Sequence, residues 1–214
     1  MKQRFYFFFL LVFMMAKSPL FSQVPVILHL QSGSYDLAGN KFLSAALASS
    51  QAYEGKKYLI FQFESLPSEL EKQQMERVGI KLLAYLPQNA WIAEVNESVS
   101  SLYFQGFHLH AVGAFLPTFK LSSELMQQKY PAHARLANGQ IALQIQLVQP
   151  FSLEKIAPNL LAVRATNLQT TEFPQTINLS IEQAKIAELA QLPFISYIAP
   201  TIPPQISELT YRNT

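Results

Sequence analysis

Residues 180–200 read Ser180-Ile-Glu-Gln-Ala-Lys-Ile-Ala-Glu-Leu-Ala-Gln-Leu-Pro-Phe-Ile-Ser-Tyr-Ile-Ala-Pro200. Ser180 and Gln183 have the spacing of a capping box, which predicts that a helix begins here. Apolar residues then recur at helical spacing, and Pro193 predicts that the helix stops near Leu192. The next residues are rich in β-forming types and run to Pro200. The stretch therefore predicts a helix followed directly by a strand.

Composition limits the classes of function. The chain has 214 residues, and half of them are hydrophobic, which is enough to bury the core of one or two domains. Three of the 16 basic residues lie in the N-terminal segment, which leaves 13 against 14 acidic residues and no block of like charge. Nucleic acid and anionic membrane surfaces are therefore poor partners. The absence of cysteine excludes disulfides, thiolate metal sites and a cysteine nucleophile.

Residues 1–23 have the pattern of a secretory signal peptide. Lys2 and Arg4 precede an apolar run, and a small residue, Ser22, stands before Gln23. The run is shorter than the roughly 20 residues of a membrane span. We expect cleavage near Ser22 and a secreted or periplasmic protein, with no membrane association after cleavage. Leu20 is bulky for a cleavage site, so an uncleaved anchor stays open as the alternative.

After the signal segment, residues 24–55 form a lead-in, and two organised units follow it. In the lead-in we expect one strand, a loop over residues 31–40 and a short helix. We predict the first unit over residues 56–120. It begins with a strand and a helix that has a capping box at Ser68 and Glu71 and ends on Gly79. Strands at 80–86 and 90–95 follow, then a second helix capped by Asn96 with Val99, Leu102 and Tyr103 on one face, and then a last strand.

The second unit is predicted over residues 140–202, after a linker at 121–139 and before an extended tail at 203–214. It begins with an alternating strand and continues with a helix that Pro158 should kink or shorten. A poorly patterned stretch and a strand at Thr176–Ser180 follow, and the unit closes with residues 180–200. Both units have the order βαββαβ. The sequence thus predicts an α+β protein with two tandem ferredoxin-like domains, each an antiparallel sheet with helices on one face.

The phrases that carry these units resemble the propeptides of secreted bacterial subtilisin-like serine proteases. The phrase Tyr85-Leu-Pro-Gln-Asn-Ala-Trp91 is similar, nearly position by position, to the family phrase "Y-(I/L)-P-x-N-A-Y", with Trp91 where tyrosine is usual. The helix, the Leu-Pro break and the strand at 189–200 resemble the end of such a propeptide. The resemblance covers about 160 residues and is weaker in the second unit.

The resemblance implies a binding role without catalysis. In that family the open sheet face packs against helices of the catalytic domain and assists its folding, while the C-terminal tail enters the substrate cleft as a strand. Carried over to this sequence, Leu209, Tyr211 and Thr214 would contact the cleft. The implied partner is a subtilisin-like catalytic domain, in cis in a longer precursor or in trans.

Signals for catalysis are missing from the sequence. The glycine-rich Asp, His and Ser motifs of the subtilase catalytic domain do not occur, and neither does a Gly-x-Ser-x-Gly elbow. His108 and His110 lie on one side of a predicted strand, but no third metal ligand is suggested. We therefore predict no enzyme activity, no metal and no cofactor.

Several explanations account for a propeptide without its enzyme. The chain could be an amino-terminal fragment or remnant of a protease precursor, a stand-alone inhibitor or folding assistant, or a shortened chain. We favour a fragment or remnant. An exported interaction or adhesion module with no protease partner is the alternative function.

Overall fold

The computed structural model describes residues 27–30, 32–37 and 43–202, and within these residues the strands form antiparallel sheets of two, five and four strands. The strands are β1 (Ile27–Leu30), β2 (Gly33–Asp36), β3 (Ala52–Tyr53), β4 (Lys56–Phe63), β5 (Ile80–Leu86), β6 (Ala90–Asn96), β7 (Leu109–Ala114), β8 (Gln140–Leu147), β9 (Thr166–Thr170), β10 (Thr176–Glu182) and β11 (Ile195–Pro200). The α-helices are α1 (Leu43–Ser49), α2 (Glu69–Arg77), α3 (Ser123–Met126), α4 (Leu153–Ala162) and α5 (Ile186–Gln191). The predicted α+β class with antiparallel sheets is confirmed.

The first large sheet is built around β4, which pairs with β6 on one side and with β3 and β7 on the other. The outer strand β5 pairs with β6. Residues 58–63 of β4 are all buried, so both faces of the central strand are covered. Such a strand reads in the sequence as a continuous β-forming run rather than as an alternation.

The predicted start and end of α2 are confirmed. The backbone N–H of Ser68 donates to Glu71 Oε2 at 2.7 Å, and Glu71 N–H donates to Ser68 Oγ at 3.3 Å, which is the reciprocal capping box. Gly79 follows the helix with φ +88°, a conformation that favours glycine.

The predicted α-helix after Asn96 is wrong. A 3-10 helix, Ser101–Gly106, occupies this connection and is capped by Ser100. The predicted apolar face is also wrong, because Leu102 and Tyr103 are exposed while Phe104 is buried against the first sheet. The finer ferredoxin-like assignment therefore stays a prediction.

The lead-in packs on the first sheet and shares its core. Strands β1 and β2 form a hairpin, so the expected loop at residues 31–40 is wrong over Gly33–Asp36. Leu28 and Leu37 are fully buried against Ile60 and Ala111 on one face of the sheet. Helices α1 and α2 contribute to the core on the opposite face. The first sheet thus has protein on both sides.

The second large sheet has the strand order β11-β8-β10-β9. Helices α4 and α5 cover one face through Ile156, Leu160 and Leu189, all fully buried. The helix α4 runs through Pro158 to Ala162, so of the expected kink or shortening, the shortening at the proline is wrong. Apolar packing on both sides of the proline holds the helix despite the lost hydrogen bond.

The predicted capping box at Ser180 and Gln183 is wrong. Ser180 lies inside β10, where its buried hydroxyl accepts from Asn167 Nδ2 at 3.2 Å. The helical segment begins with a 3-10 turn, Gln183–Lys185, which leads into α5. The predicted stop near Leu192 and the closing strand are confirmed. Strand β9 is the strand that the predicted order βαββαβ requires after the first helix, but the sequence does not locate it, because its residues have no apolar alternation.

Candidate binding surface

The face of the second sheet that lies opposite its helices is polar. Alternate residues of β8 point into the core, and the residues between them point away from it. We call the central part of this outward set the polar face; it consists of Ala142, Gln144, Gln146, Thr176, Asn178, Tyr197 and Ala199. All are half-buried or exposed and uncharged, whereas Glu182, on the same side at the end of β10, is charged and exposed. None belongs to the apolar clusters of the described residues.

Hydrogen bonds fix part of this face. Gln144 Nε2 donates to Asn178 Oδ1 at 3.2 Å across β8 and β10. The hydroxyl of Ser196 donates to the Gln146 carbonyl at 3.0 Å. Such contacts hold amide groups in a fixed geometry, which lowers the conformational entropy that a partner must order on binding.

The corresponding face of the first sheet is already covered. The hairpin lies over one part of it, and Val148 and Phe151 of the second unit pack on Tyr58 and Ile92. Of the two large sheets, the second is therefore the one whose described residues leave a face open to a partner.

A cleft of about 650 Å³ lies beside the polar face, between the two units. We call it the junction cleft; its apolar and aromatic lining residues include Leu30, Leu86, Ile92, Phe115, Phe119 and Tyr197. A second depression of about 510 Å³ lies on the polar face itself. Gln146 and Tyr197 line both, so the two depressions form one continuous surface.

Tyr197 stands where the two depressions meet. Burial, and after it the negative charge of Glu124, raises the pKa of its phenol. The side chain therefore keeps its proton at neutral pH and offers both a donor and an aromatic face.

The outer strands that flank the cleft differ in how much of their backbone edge is available for pairing with another strand. On β11, Ser122 N–H donates to the Ile198 carbonyl at 2.9 Å, so part of that edge is occupied. On the first sheet, β5 is the outer strand, and its register shifts between Leu82 and Ala84. Such an irregularity bends an edge strand and discourages uncontrolled pairing.

The two units meet through a polar network next to the cleft. Gln149 Nε2 donates to Glu94 Oε2 at 2.7 Å and to the Tyr58 hydroxyl at 3.4 Å. Lys56 Nζ lies 3.2 Å from the other oxygen of Glu94, whose residue is 8% exposed. Burial and then the Glu94 charge raise the pKa of Tyr58. These contacts give the Glu94 carboxylate hydrogen-bond and ionic partners, and a buried charge without such partners would be unfavourable.

A buried lysine lies at the same junction. Lys120 is 2% exposed, and its Nζ donates to the Leu192 carbonyl, the C-cap of α5, at 2.8 Å. Burial lowers the pKa of the amine to about 7. The sequence has no signal for this burial, because Lys120 is the last residue of the predicted first unit, directly before the predicted linker, and lysine is rarely fully buried.

The sequence-predicted site residues lie outside the part of the chain that the structure describes. Leu209, Tyr211 and Thr214 lie outside the described residues, as does the signal segment 1–23. His108 and His110 are exposed, and the described residues form no group of three or more potential metal ligands. Among the described helices, none has the length and apolar character needed to cross a membrane.

Comparison with known proteins gives a match over part of the chain. A family model described as a domain of unknown function (DUF8729) matches residues 29–116, which span the hairpin and the first sheet and are less than half of the chain. No curated protein and no solved structure matches. Because the matched family has no assigned function, the resemblance to subtilase propeptides stays a prediction.

Proposed function

We propose that this chain is a non-catalytic, propeptide-like binding protein that acts on a subtilisin-like catalytic domain, in cis or in trans. The observation that carries the proposal is the polar face of the second sheet, an uncovered sheet surface next to an apolar cleft. In the resembled family, an uncovered sheet face of this kind packs against helices of the protease.

The chemistry of the polar face suits a contact that forms and later separates. Its amide and hydroxyl groups can hydrogen-bond to a partner, and they are also well solvated when the partner is absent. The neighbouring junction cleft offers apolar area through Phe115, Phe119 and Tyr197. An apolar centre with a polar rim is the usual anatomy of a protein–protein interface.

In the proposed mechanism the chain positions the protease without reacting with it. Docking of the polar face brings protease helices together and lowers the barrier to folding of a catalytic domain with many long-range contacts. The tail, with Leu209, Tyr211 and Thr214, then lies in the substrate cleft as an added strand. No covalent step is assigned to this chain.

Inhibition of a panel of bacterial subtilisins by residues 23–214 tests the proposal. We expect stoichiometric inhibition, weakened at least tenfold in a chain truncated after Pro204, because the tail occupies the cleft. Equal inhibition by both chains would contradict the role of the tail. Failure of both to bind at about micromolar concentration would contradict the proposal and favour the alternative, an exported interaction or adhesion module without a protease partner.

A further inference from the structure

Lys120 combines full burial with an incomplete set of partners. Its Nζ donates to one acceptor among the described residues, the neutral Leu192 carbonyl, and lies 5.2 Å from the centre of the Phe115 ring. No carboxylate of the described residues lies within salt-bridge distance of it. A protonated lysine has three donors, so two of them have no acceptor in this set.

A cavity of about 100 Å³ adjoins this lysine. The hydroxyl-bearing residues Ser49 and Ser50 and the amide-bearing residues Gln51 and Gln191 line it together with Lys120. Tyr58 is the other titratable residue of the lining, and its raised pKa keeps it neutral. The volume exceeds what one ordered water requires and can hold a few waters or one small ion.

We propose that this cavity binds a small monovalent anion, such as a halide, against the Lys120 ammonium group. A buried cation without an anionic partner is unstable, and the cavity offers the place where a mobile anion can supply the missing charge. The remaining lining residues contribute only neutral groups, so they do not repel an anion. The small volume suits a small ion better than a bulky organic anion such as gluconate.

Anion binding would stabilise the junction between the two units. Ser49, Ser50 and Gln51 belong to the lead-in that packs on the first sheet, whereas Gln191 precedes the C-cap carbonyl that Lys120 contacts in the second unit. An anion held between them favours the assembled form by mass action. This inference does not depend on the proposed protease partner.

Equilibrium unfolding at about pH 6 tests the inference, with sodium chloride replaced stepwise by sodium gluconate at constant ionic strength. For a dissociation constant of about 50 mM, about 0.5 M chloride should raise the folding equilibrium constant of the wild-type protein roughly tenfold. Lys120→Met should show no such rise, whereas Lys129→Met, which removes an exposed lysine, should respond like the wild type. An equal chloride response in all three proteins would overturn the inference.

A crystal of the wild-type protein soaked in bromide gives an independent measurement that does not require the variants to fold. We expect an anomalous peak in the cavity within about 3.5 Å of Lys120 Nζ. Ordered water alone at this position, with bromide bound elsewhere, would overturn the inference.

Discussion

Replacing Lys120 with methionine removes a buried amine and leaves a side chain of similar length without charge. The wild-type amine has a pKa of about 7 in the folded protein, against 10.5 for an unperturbed lysine, because burial disfavours its charged form. Between these two values the unfolded chain binds more protons than the folded protein. The free energy of unfolding of the wild type therefore rises with pH across this window.

The size of the effect follows from the shift. Each pKa unit corresponds to about 1.4 kcal/mol, so the wild type should gain about 2 to 3 kcal/mol of stability between about pH 7 and pH 9 through this group. Below about pH 7 the amine is charged in both states, and its full burial cost applies. Lys120→Met should then be more stable than the wild type by about 2 to 5 kcal/mol, after allowing for the lost hydrogen bond to Leu192.

Urea unfolding at several pH values, in gluconate buffer so that no small anion fills the cavity, measures this difference. Subtracting the wild-type curve from the Lys120→Met curve cancels the other titrating groups, and Lys129→Met serves as the exposed control. We expect the difference to shrink as the pH rises from 7 to 9. Parallel curves would show that the amine is not desolvated and would refute the reasoning.

Further predictions concern the folded framework. Ser68→Ala should lower the free energy of unfolding by about 0.5 to 2 kcal/mol through loss of the cap, as measured in urea; an unchanged midpoint would argue against the capping box. Gln149→Ala should lower it by about 1 to 3 kcal/mol, because the buried Glu94 loses a donor, and the loss should shrink in a background in which Glu94 is replaced by Gln. Gly79→Ala places a Cβ 2.5 Å from Asn96 Nδ2 at φ +88° and should lower the thermal midpoint; an equal or higher midpoint would mean that the turn relaxes freely.

Local signals account for the parts of the fold that the sequence predicts correctly. The capping box at Ser68, Gly79 and the turn residues Pro87-Gln-Asn89 between the strands predicted at 80–86 and 90–95 each act within a few residues, so their effects are readable without tertiary information. The alternation in β8 likewise predicts which of its residues lie outside the core, and these supply three of the seven residues of the polar face.

The capping box predicted at Ser180 is wrong because two local signals compete there. Ile177, Leu179 and Ile181 alternate with polar residues, and this strand pattern continues through Ser180 to Ile181. Pairing with β8 buries all three apolar side chains, which contributes more than one helix cap can offer. The strand is predicted from Thr176 to Ser180, and weighing the alternation above the cap would have extended it to its observed end at Glu182.

The junction has no local signal. The contacts of Gln149 with Glu94 and of Lys120 with Leu192 join residues 55 and 72 positions apart. The hairpin of β1 and β2 covers part of the first sheet, whereas the sequence predicts only a strand and a loop for these residues. These features arise from tertiary packing, which a single sequence does not specify.

Calorimetric binding of residues 23–214 to an inactivated subtilisin catalytic domain is the most direct test of the central claim. Gln146→Arg places a charge on the polar face, and Gln74→Arg places the same charge on the exposed side of α2 as the matched control. We predict binding at one-to-one stoichiometry, weakened at least tenfold by Gln146→Arg, because the docked charge would be desolvated without a partner, and unchanged by Gln74→Arg. Equal affinities of the two variants would contradict docking through the polar face.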